Sequence, residues 1–193
     1  MNLWTFANAV TGTRIALSPV FILCFLWSGP LGMSTAFLIA CLFEITDVVD
    51  GYIARSRKEV SDVGKLLDPF ADSISRFSVF LCLLHGDYVP VWMVALVFYR
   101  DALVSYLRVG AATYAVVMAA RLSGKIKAVV QGIATVGVTF LIAAREHAWI
   151  AWNVHDIAWW VMFIVTMVTL WSAMDYLHGF SHIVQRSDSS PDS

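Results

Sequence analysis

The sequence predicts an all-α integral membrane protein, with six transmembrane helices around a polar, metal-binding cavity that opens to the cytoplasmic side. Three observations support this fold class. Hydrophobic residues make up 59% of the 193 positions and charged residues only 14%, the mean hydropathy is +0.72, and the apolar residues fall into six long runs. A soluble domain of this length is normally more polar. We expect one membrane domain over residues 1–186 and a disordered polar tail over 187–193.

Each apolar run is close to the roughly 20 residues that an α-helix needs to cross a bilayer. In chain order the runs lie at about 4–27, 32–54, 65–85, 90–109, 124–144 and 156–178. Helix breakers mark several of their ends. These are Pro30 and Gly32 after the first run, Gly86 and Pro90 between the third and fourth, and Gly110 after the fourth. The amphiphilic stretch 111–123 either extends the fourth helix or lies at the membrane surface.

The distribution of basic residues predicts the orientation. With the start of the chain in the cytoplasm, nine basic residues lie at or near the cytoplasmic side: Arg14, Arg55, Arg57, Lys58, Lys65, Arg121, Lys125, Lys127 and Arg186. Only Arg145 is left in a connection on the far side, as the positive-inside rule requires. We therefore expect a multi-pass protein of the inner (cytoplasmic) membrane, with its site facing the cytoplasm.

Four aspartates lie within or beside the second and third runs. Asp47 and Asp50 are three positions apart, and Asp68 and Asp72 are four apart, so each pair shares one helix face. The polar connection 56–63 is short, which makes the two helices antiparallel neighbours. The four carboxylates should therefore converge near the cytoplasmic surface.

Clustered carboxylates repel one another unless cations neutralise them. Oxygen ligands without nearby Cys or His suit Mg²⁺, Mn²⁺ or Ca²⁺ better than zinc. Four carboxylates are enough for a two-metal site of the kind that assists phosphoryl transfer. The alternative is that the aspartates cap helix ends or pair with Arg55, Arg57 and Lys65.

Small residues lie beside the acidic pairs. Gly51 directly follows Asp50, Gly64 lies one turn before Asp68, and Ala54 continues the face of the second helix. Glycine inside a helix costs about 1 kcal/mol relative to alanine, so a ligand that approaches the backbone closely would explain its presence. Close packing of membrane helices is the alternative.

Taken together, these residues resemble the signature of the CDP-alcohol phosphotransferase family. The pattern is Asp47-x-x-Asp50-Gly51-x-x-Ala54-Arg55, eight residues, then Gly64-x-x-x-Asp68-x-x-x-Asp72. The resemblance implies a six-helix membrane enzyme that moves a substituted phosphate from a CDP-linked donor to an alcohol and releases CMP. It also implies that two Mg²⁺ or Mn²⁺ ions are bound by Asp47, Asp50, Asp68 and Asp72. Asp72 would also act as general base, and the CDP site would be formed by Gly51, Ala54, Arg55 and Gly64.

Other segments resemble the phosphatidylglycerophosphate synthase branch of that family. The first run carries Asn8-x-x-Thr11-x-x-Arg14 on one helix face, and the last run contains the similar segments 169–172 and 176–177. This resemblance implies CDP-diacylglycerol as the donor, glycerol 3-phosphate as the acceptor and a possible homodimer in the lipid bilayer. The alternative for Arg14 is contact with lipid headgroups.

Cations in the second half of the chain indicate a phosphorylated acceptor. Arg100 and Arg108 are eight positions apart on one helix face, and Lys125 opens the fifth run. Cations at membrane depth need an anionic partner, and phosphate supplies one. We therefore expect the acceptor phosphate to be bound by Arg100, Arg108 and Lys125, and the resemblance of the first run implies Asn8, Thr11 and Arg14 as further contributors. The alternatives are an ion pair to Asp101 for Arg100, and headgroup contacts for Arg121 and Lys127.

Two further readings stay open. Ser73, Arg76, Asp101 and Val109 differ from what that branch usually carries, so inositol or inositol phosphate remains an alternative acceptor. A cation transporter would also explain buried aspartates, but it would not explain the glycines beside them or the basic residues on the same side. The sequence has no basic tract of the kind that binds nucleic acid, and no such partner is expected.

Overall fold

Six α-helices make up the described part of the chain. A computed structural model describes residues 6–27, 29–57, 62–113, 118 and 121–188, without the side chains of residues 6–10, 50–57, 62–68, 112–113 and 186–188. The helices are α1 Phe6–Trp27, α2 Gly29–Arg57, α3 Asp62–His85, α4 Val91–Thr113, α5 Leu122–Glu146 and α6 Val154–Asp188. No strand occurs in the described residues. The all-helical class and the number of helices are therefore confirmed for these residues, and the crossing of a membrane by all six stays a prediction.

Three helices among the described residues contain stretches long and apolar enough to cross a membrane. They are Gly29–Val49 in α2, Leu122–Glu146 in α5 and Val154–Gln185 in α6. The last helix is 35 residues long and ends well beyond the predicted position 178. Residues 189–193 lie outside the described part, so the disordered tail stays a prediction there.

The helix breakers mark helix ends as predicted, except at Gly110. α2 begins at Gly29, whose φ is +77°, so Pro30 and Gly32 lie in its first turn, where proline is tolerated. A Cβ on Gly32 would lie 2.7 Å from the carbonyl oxygen of Cys24, so the missing side chain lets α1 and α2 approach closely. Gly110 lies inside α4 and does not end it, because packing outweighs the small helix cost of one glycine. Gly86 and Pro90 lie between α3 and α4, as predicted.

The buried charged side chains among the described residues lie in one half of the bundle, and most of the apolar core lies in the other. α1 packs against α2 and α3, α5 packs against α2 and α6, and α4 packs against α6. The apolar core lies toward the α3–α4 and α5–α6 connections and includes Phe21, Phe43, Leu83, Met93 and Ile142. The other half buries charged and hydroxyl side chains, including Thr11, Arg14, Arg76, Arg100, Lys127 and Ser172. Buried charges must be paired with other groups or with a ligand. The candidate site is therefore expected in this second half.

Candidate active site

Two of the four predicted aspartates face a single arginine. Arg14 Nη1 on α1 lies 2.6 Å from Asp47 Oδ1 on α2 and 4.0 Å from Asp72 Oδ1 on α3. The arginine side chain is only 1% exposed, whereas those of Asp47 and Asp72 are 37% and 28% exposed. The three helices thus bring two carboxylates together over a buried cation, with oxygen atoms still open toward solvent.

Arg14 was predicted to bind the acceptor phosphate. It contacts Asp47 and lies near Asp72, and it is not among the residues that line the cavity of Arg100, Arg108 and Lys125. Its phosphate-binding role stays a prediction. Thr11, one turn earlier on α1, is buried, and its phosphate-binding role stays a prediction.

Several predicted site residues lie outside the described side chains. The backbone places Asp50 in α2, one turn after Asp47, and Asp68 in α3, one turn before Asp72. Nothing more is described of the side chains of Asn8, Asp50, Gly51, Ala54, Arg55, Gly64 and Asp68. Their roles therefore stay predictions.

Arg76 contacts the carboxylate oxygen of Asp72 that does not face Arg14. Its Nη1 lies 2.7 Å from Asp72 Oδ2, and its Nη2 lies 3.5 Å from Glu44 Oε2 on α2. A Cβ on Gly132 of α5 would collide with the Glu44 carboxylate, so this glycine makes room for the carboxylate. The sequence prediction missed Glu44, although the signal was available: it is an acid in an apolar run, three positions before Asp47 and on the same face.

A second set of charges surrounds a cavity of about 220 Å³ between α3, α4, α5 and α6. Its lining includes Asp72, Arg100, Asp101, Arg108, Lys125, Lys127 and Tyr176. The structure therefore brings together three cations of the predicted acceptor set, Arg100, Arg108 and Lys125, and places the predicted base in the wall of the same cavity. Four cations against two carboxylates give this cavity an excess of positive charge.

Asp101 neutralises part of that charge. Lys127 Nζ lies 2.8 Å and 3.0 Å from its two carboxylate oxygens, and Arg100 Nη1 lies 3.0 Å from Oδ1. The ion pair with Asp101, which was the alternative to phosphate binding for Arg100, is present. Headgroup contact, which was the alternative for Lys127, is wrong, because α5 directs this side chain inward, where it is 5% exposed.

Side chains of α6 complete the cavity wall. Arg100 Nη2 donates to Ser172 Oγ at 2.7 Å, and Arg108 Nη2 donates to Tyr176 Oη at 3.2 Å. Arg121, also expected at the headgroups, forms an ion pair with Asp175 at 3.2 Å. Tyr176 was not predicted as a site residue, since its only sequence signal was the resemblance of segment 176–177.

A larger, mainly apolar cavity of about 420 Å³ lies between α3 and α4. Phe77, Phe80 and Phe98 line it, together with Ser105 and Arg108, which also line the charged cavity. An apolar space therefore adjoins a charged one, an arrangement that suits an amphiphilic molecule.

The carboxylate side is chemically suited to a hard divalent cation, since Asp47 and Asp72 present oxygen donors to a common point. No group of three or more His, Cys, Asp and Glu side chains is placed to hold a metal ion among the described residues. Asp50 and Asp68 fall outside that set, so the four-carboxylate site stays a prediction.

Comparison with known proteins agrees with the sequence signature. The model of the CDP-alcohol phosphatidyltransferase family matches residues 4–172. A Bacillus subtilis (strain 168) protein named CDP-diacylglycerol--glycerol-3-phosphate 3-phosphatidyltransferase is 32% identical over 176 residues, which cover 85% of this chain and 90% of that protein. A Rickettsia bellii (strain RML369-C) protein of the same name is 34% identical over 167 residues, covering 86% and 91%.

A more distant similarity covers about half of the chain. A Streptomyces coelicolor cardiolipin synthase (CMP-forming) is 30% identical over 102 residues, which cover 51% of this chain and 47% of that protein. The two full-length relatives and the family match cover most of the chain, including the whole aspartate signature. The chain therefore belongs to the CDP-alcohol phosphatidyltransferase family.

Proposed function

We propose that this protein transfers a phosphatidyl group from CDP-diacylglycerol to glycerol 3-phosphate, forming phosphatidylglycerophosphate and CMP. The observation that carries the proposal is the position of Asp72, which lines the same cavity as Arg100 and Arg108. A base and a phosphate-binding surface in one cavity suit an acceptor that carries both a hydroxyl and a phosphate. The names of the two full-length relatives support this acceptor.

In the proposed reaction, the acceptor hydroxyl attacks the phosphorus that carries the diacylglycerol. A bond forms from the hydroxyl oxygen to that phosphorus, the bond from phosphorus to the CMP oxygen breaks, and CMP leaves with the electron pair. Asp72 takes the hydroxyl proton on its carboxylate. Arg76 holds one Asp72 oxygen at 2.7 Å, which orients the carboxylate and leaves its other oxygen toward Arg14.

We propose that Asp47, Asp50, Asp68 and Asp72 hold two Mg²⁺ or Mn²⁺ ions. When bound, the ions supply positive charge that offsets the charge of the diphosphate and of the leaving CMP. Carboxylate oxygens suit these cations, and the convergence of Asp47 and Asp72 on Arg14 Nη1 supports a shared site. The CDP moiety would lie along Gly51, Ala54, Arg55 and Gly64.

The acceptor phosphate would bind between Arg100, Arg108 and Lys125. Arg100, Arg108 and Lys125 line one cavity that carries an excess of positive charge, and guanidinium and ammonium groups are the usual partners of phosphate oxygens. Lys125 is exposed at the rim of the cavity, where it can attract an anion from water. Asn8 and Thr11 remain proposed contributors from α1.

We further propose a membrane arrangement for the chain. All six helices cross the inner membrane as one domain over residues 1–186, and the charged cavity opens to the cytoplasm. The basic residues that the sequence analysis assigns to the cytoplasmic side support this orientation. The lipid donor enters from the bilayer, where the apolar cavity between α3 and α4 adjoins the charged one. The possible homodimer rests on the family resemblance.

A purified-enzyme assay tests the function. The protein in mixed micelles is incubated with CDP-diacylglycerol and Mg²⁺ or Mn²⁺, and glycerol 3-phosphate, inositol, inositol phosphate and serine are offered separately while CMP and lipid product are followed. We expect both products with glycerol 3-phosphate and none after chelation of the metal. Lipid product with inositol phosphate or inositol, and none with glycerol 3-phosphate, would identify that alcohol as the acceptor instead. No CMP with any acceptor would contradict the enzyme function and favour the cation transporter.

A further inference from the structure

We propose that Ser172 and Tyr176 of α6 are positioning residues that hold Arg100 and Arg108 of α4 ready for the acceptor phosphate. The two α6 residues are four positions apart and therefore share one helix face. This role rests on the proposed function, because it assumes that the charged cavity receives a phosphorylated alcohol.

Both arginines are anchored to that face by hydrogen bonds. Ser172 Oγ accepts from Arg100 Nη2 at 2.7 Å, and Tyr176 Oη accepts from Arg108 Nη2 at 3.2 Å. Tyr176 Oη also accepts from the backbone N–H of Arg121 at 3.1 Å. A hydroxyl oxygen has two acceptor positions, so both are used and the oxygen is fixed between α4 and the start of α5.

The tyrosine ring contributes separately from its hydroxyl. The guanidinium carbons of Arg100 and Arg108 lie 5.3 Å and 5.7 Å from the ring centroid of Tyr176. An aromatic face attracts cations at this distance, which offsets part of the repulsion between the two arginines. Holding both side chains in place before the ligand arrives lowers the ordering cost of binding.

The position of Tyr176 is itself fixed by the first turn of α5. A Cβ on Gly124 would lie 2.8 Å from Tyr176 Oη, so glycine at this position lets the hydroxyl approach α5. Neighbouring Asp175 accepts hydrogen bonds from Arg121 and Ser123, which fastens the start of α5 to α6. The α6 face thus connects α4 and α5 around the cavity.

The test uses Tyr176→Phe, which keeps the ring and removes only the hydroxyl. We expect the KM for glycerol 3-phosphate to rise about tenfold, since a hydrogen bond to a charged group is lost. The KM for CDP-diacylglycerol and kcat at saturating acceptor should not change. The unfolding temperature should fall only slightly, because the backbone N–H of Arg121 also loses its acceptor. Ser172→Ala should shift the acceptor KM in the same direction through Arg100. The matched control is Tyr106→Phe, at an α4 position that is 76% exposed.

The outcomes separate this role from the proposed function. An unchanged acceptor KM in active Tyr176→Phe and Ser172→Ala enzymes would overturn the positioning role alone. A fall in kcat and a rise in the KM of both substrates, together with a large fall in the unfolding temperature, would also overturn it. That pattern indicates a structural role only. If Tyr176→Phe does not fold, Ser172→Ala decides the question. Absence of turnover by the unaltered protein with every phosphorylated acceptor would overturn the proposed function and this role with it.

Discussion

The two sides of the candidate site arrange charge in opposite ways. On the α1–α3 side, buried arginines lie beneath partly exposed carboxylates: Arg14 is 1% exposed, and Asp47 is 37% exposed. On the α4–α6 side, the carboxylate of Asp101 neutralises part of the charge of a group of cations, and Arg108 and Lys125 remain available at the cavity. The first side therefore offers oxygen atoms to cations, while the second offers N–H donors to anions.

Asp72 belongs to both sides. It contacts Arg76 on its own helix, lies near Arg14 and lines the cation-rich cavity. Transfer of a charged group between two molecules needs such a junction, since metal-assisted and phosphate-binding surfaces must meet at the reacting atoms. The following changes test how far the two sides act separately.

Asp72→Asn should have the largest effect, because it removes the group that the two sides share. We expect turnover to fall about 10²- to 10⁴-fold, the usual contribution of a general base, with CDP-diacylglycerol binding less affected. CMP release measures the rate, and donor binding is measured separately. Asp156→Asn, at the exposed opposite end of α6, is the control. A near-normal rate for Asp72→Asn would contradict its role as base.

Asp101→Asn tests the cation-rich side alone. It leaves the buried Lys127 without its carboxylate, and we expect the free energy of unfolding to fall by about 2–3 kcal/mol. That is below the usual cost of breaking a buried pair, because the Asp101 side chain is 21% exposed. Thermal unfolding in detergent measures the loss, and added glycerol 3-phosphate should restore more stability to this variant than to the unaltered protein. The exposed change Glu146→Gln serves as control. If Asp101→Asn unfolds at the same temperature as the unaltered protein, Asp101 does not stabilise the buried Lys127.

Gly132→Ala tests the carboxylate side through its packing. The added methyl group displaces the Glu44 carboxylate, so we expect stability to fall by about 1–3 kcal/mol and activity to fall as Arg76 loses its second partner. Gly137→Ala, on the same helix and with open space around it, should instead be neutral or stabilising by up to about 1 kcal/mol. Thermal unfolding and CMP release are compared for the two variants. Equal unfolding temperatures and equal rates of CMP release for the two variants would show that the Glu44 carboxylate does not depend on the missing side chain of Gly132.

Arg108→Lys should have the smallest effect. Lysine keeps the charge but loses the forked donor geometry, so we expect the KM for glycerol 3-phosphate to rise about five- to tenfold. The KM for CDP-diacylglycerol should stay unchanged. Arg145→Lys, at the exposed end of α5, is the control. A change in the donor KM instead would assign Arg108 to the other side of the site.

Local patterns predicted the helices and part of the site. Runs of apolar residues located all six helices, and the shared helix face of Arg100 and Arg108 correctly indicated that both belong to one site. The contact between Arg108 and Tyr176 joins residues 68 positions apart, and that between Arg76 and Glu44 joins residues 32 positions apart. Such contacts depend on which helices pack together, and no local periodicity contains that information. The true length of α6 was missed for a related reason, because its last turns are polar and carry no apolar run.

The length of α6 can be compared with the thickness of a bilayer. At 1.5 Å per residue, the path from Val154 to Tyr176 measures about 33 Å, close to the roughly 30 Å of a bilayer's hydrocarbon layer. Exposed Trp149 and Trp152 lie just before that helix, where tryptophan favours the lipid–water boundary. In the proposed arrangement, Tyr176 would therefore lie one membrane thickness away, at the opposite boundary. A water-soluble acceptor could then reach the charged cavity without entering the hydrocarbon layer, and the lipid donor could react without leaving it.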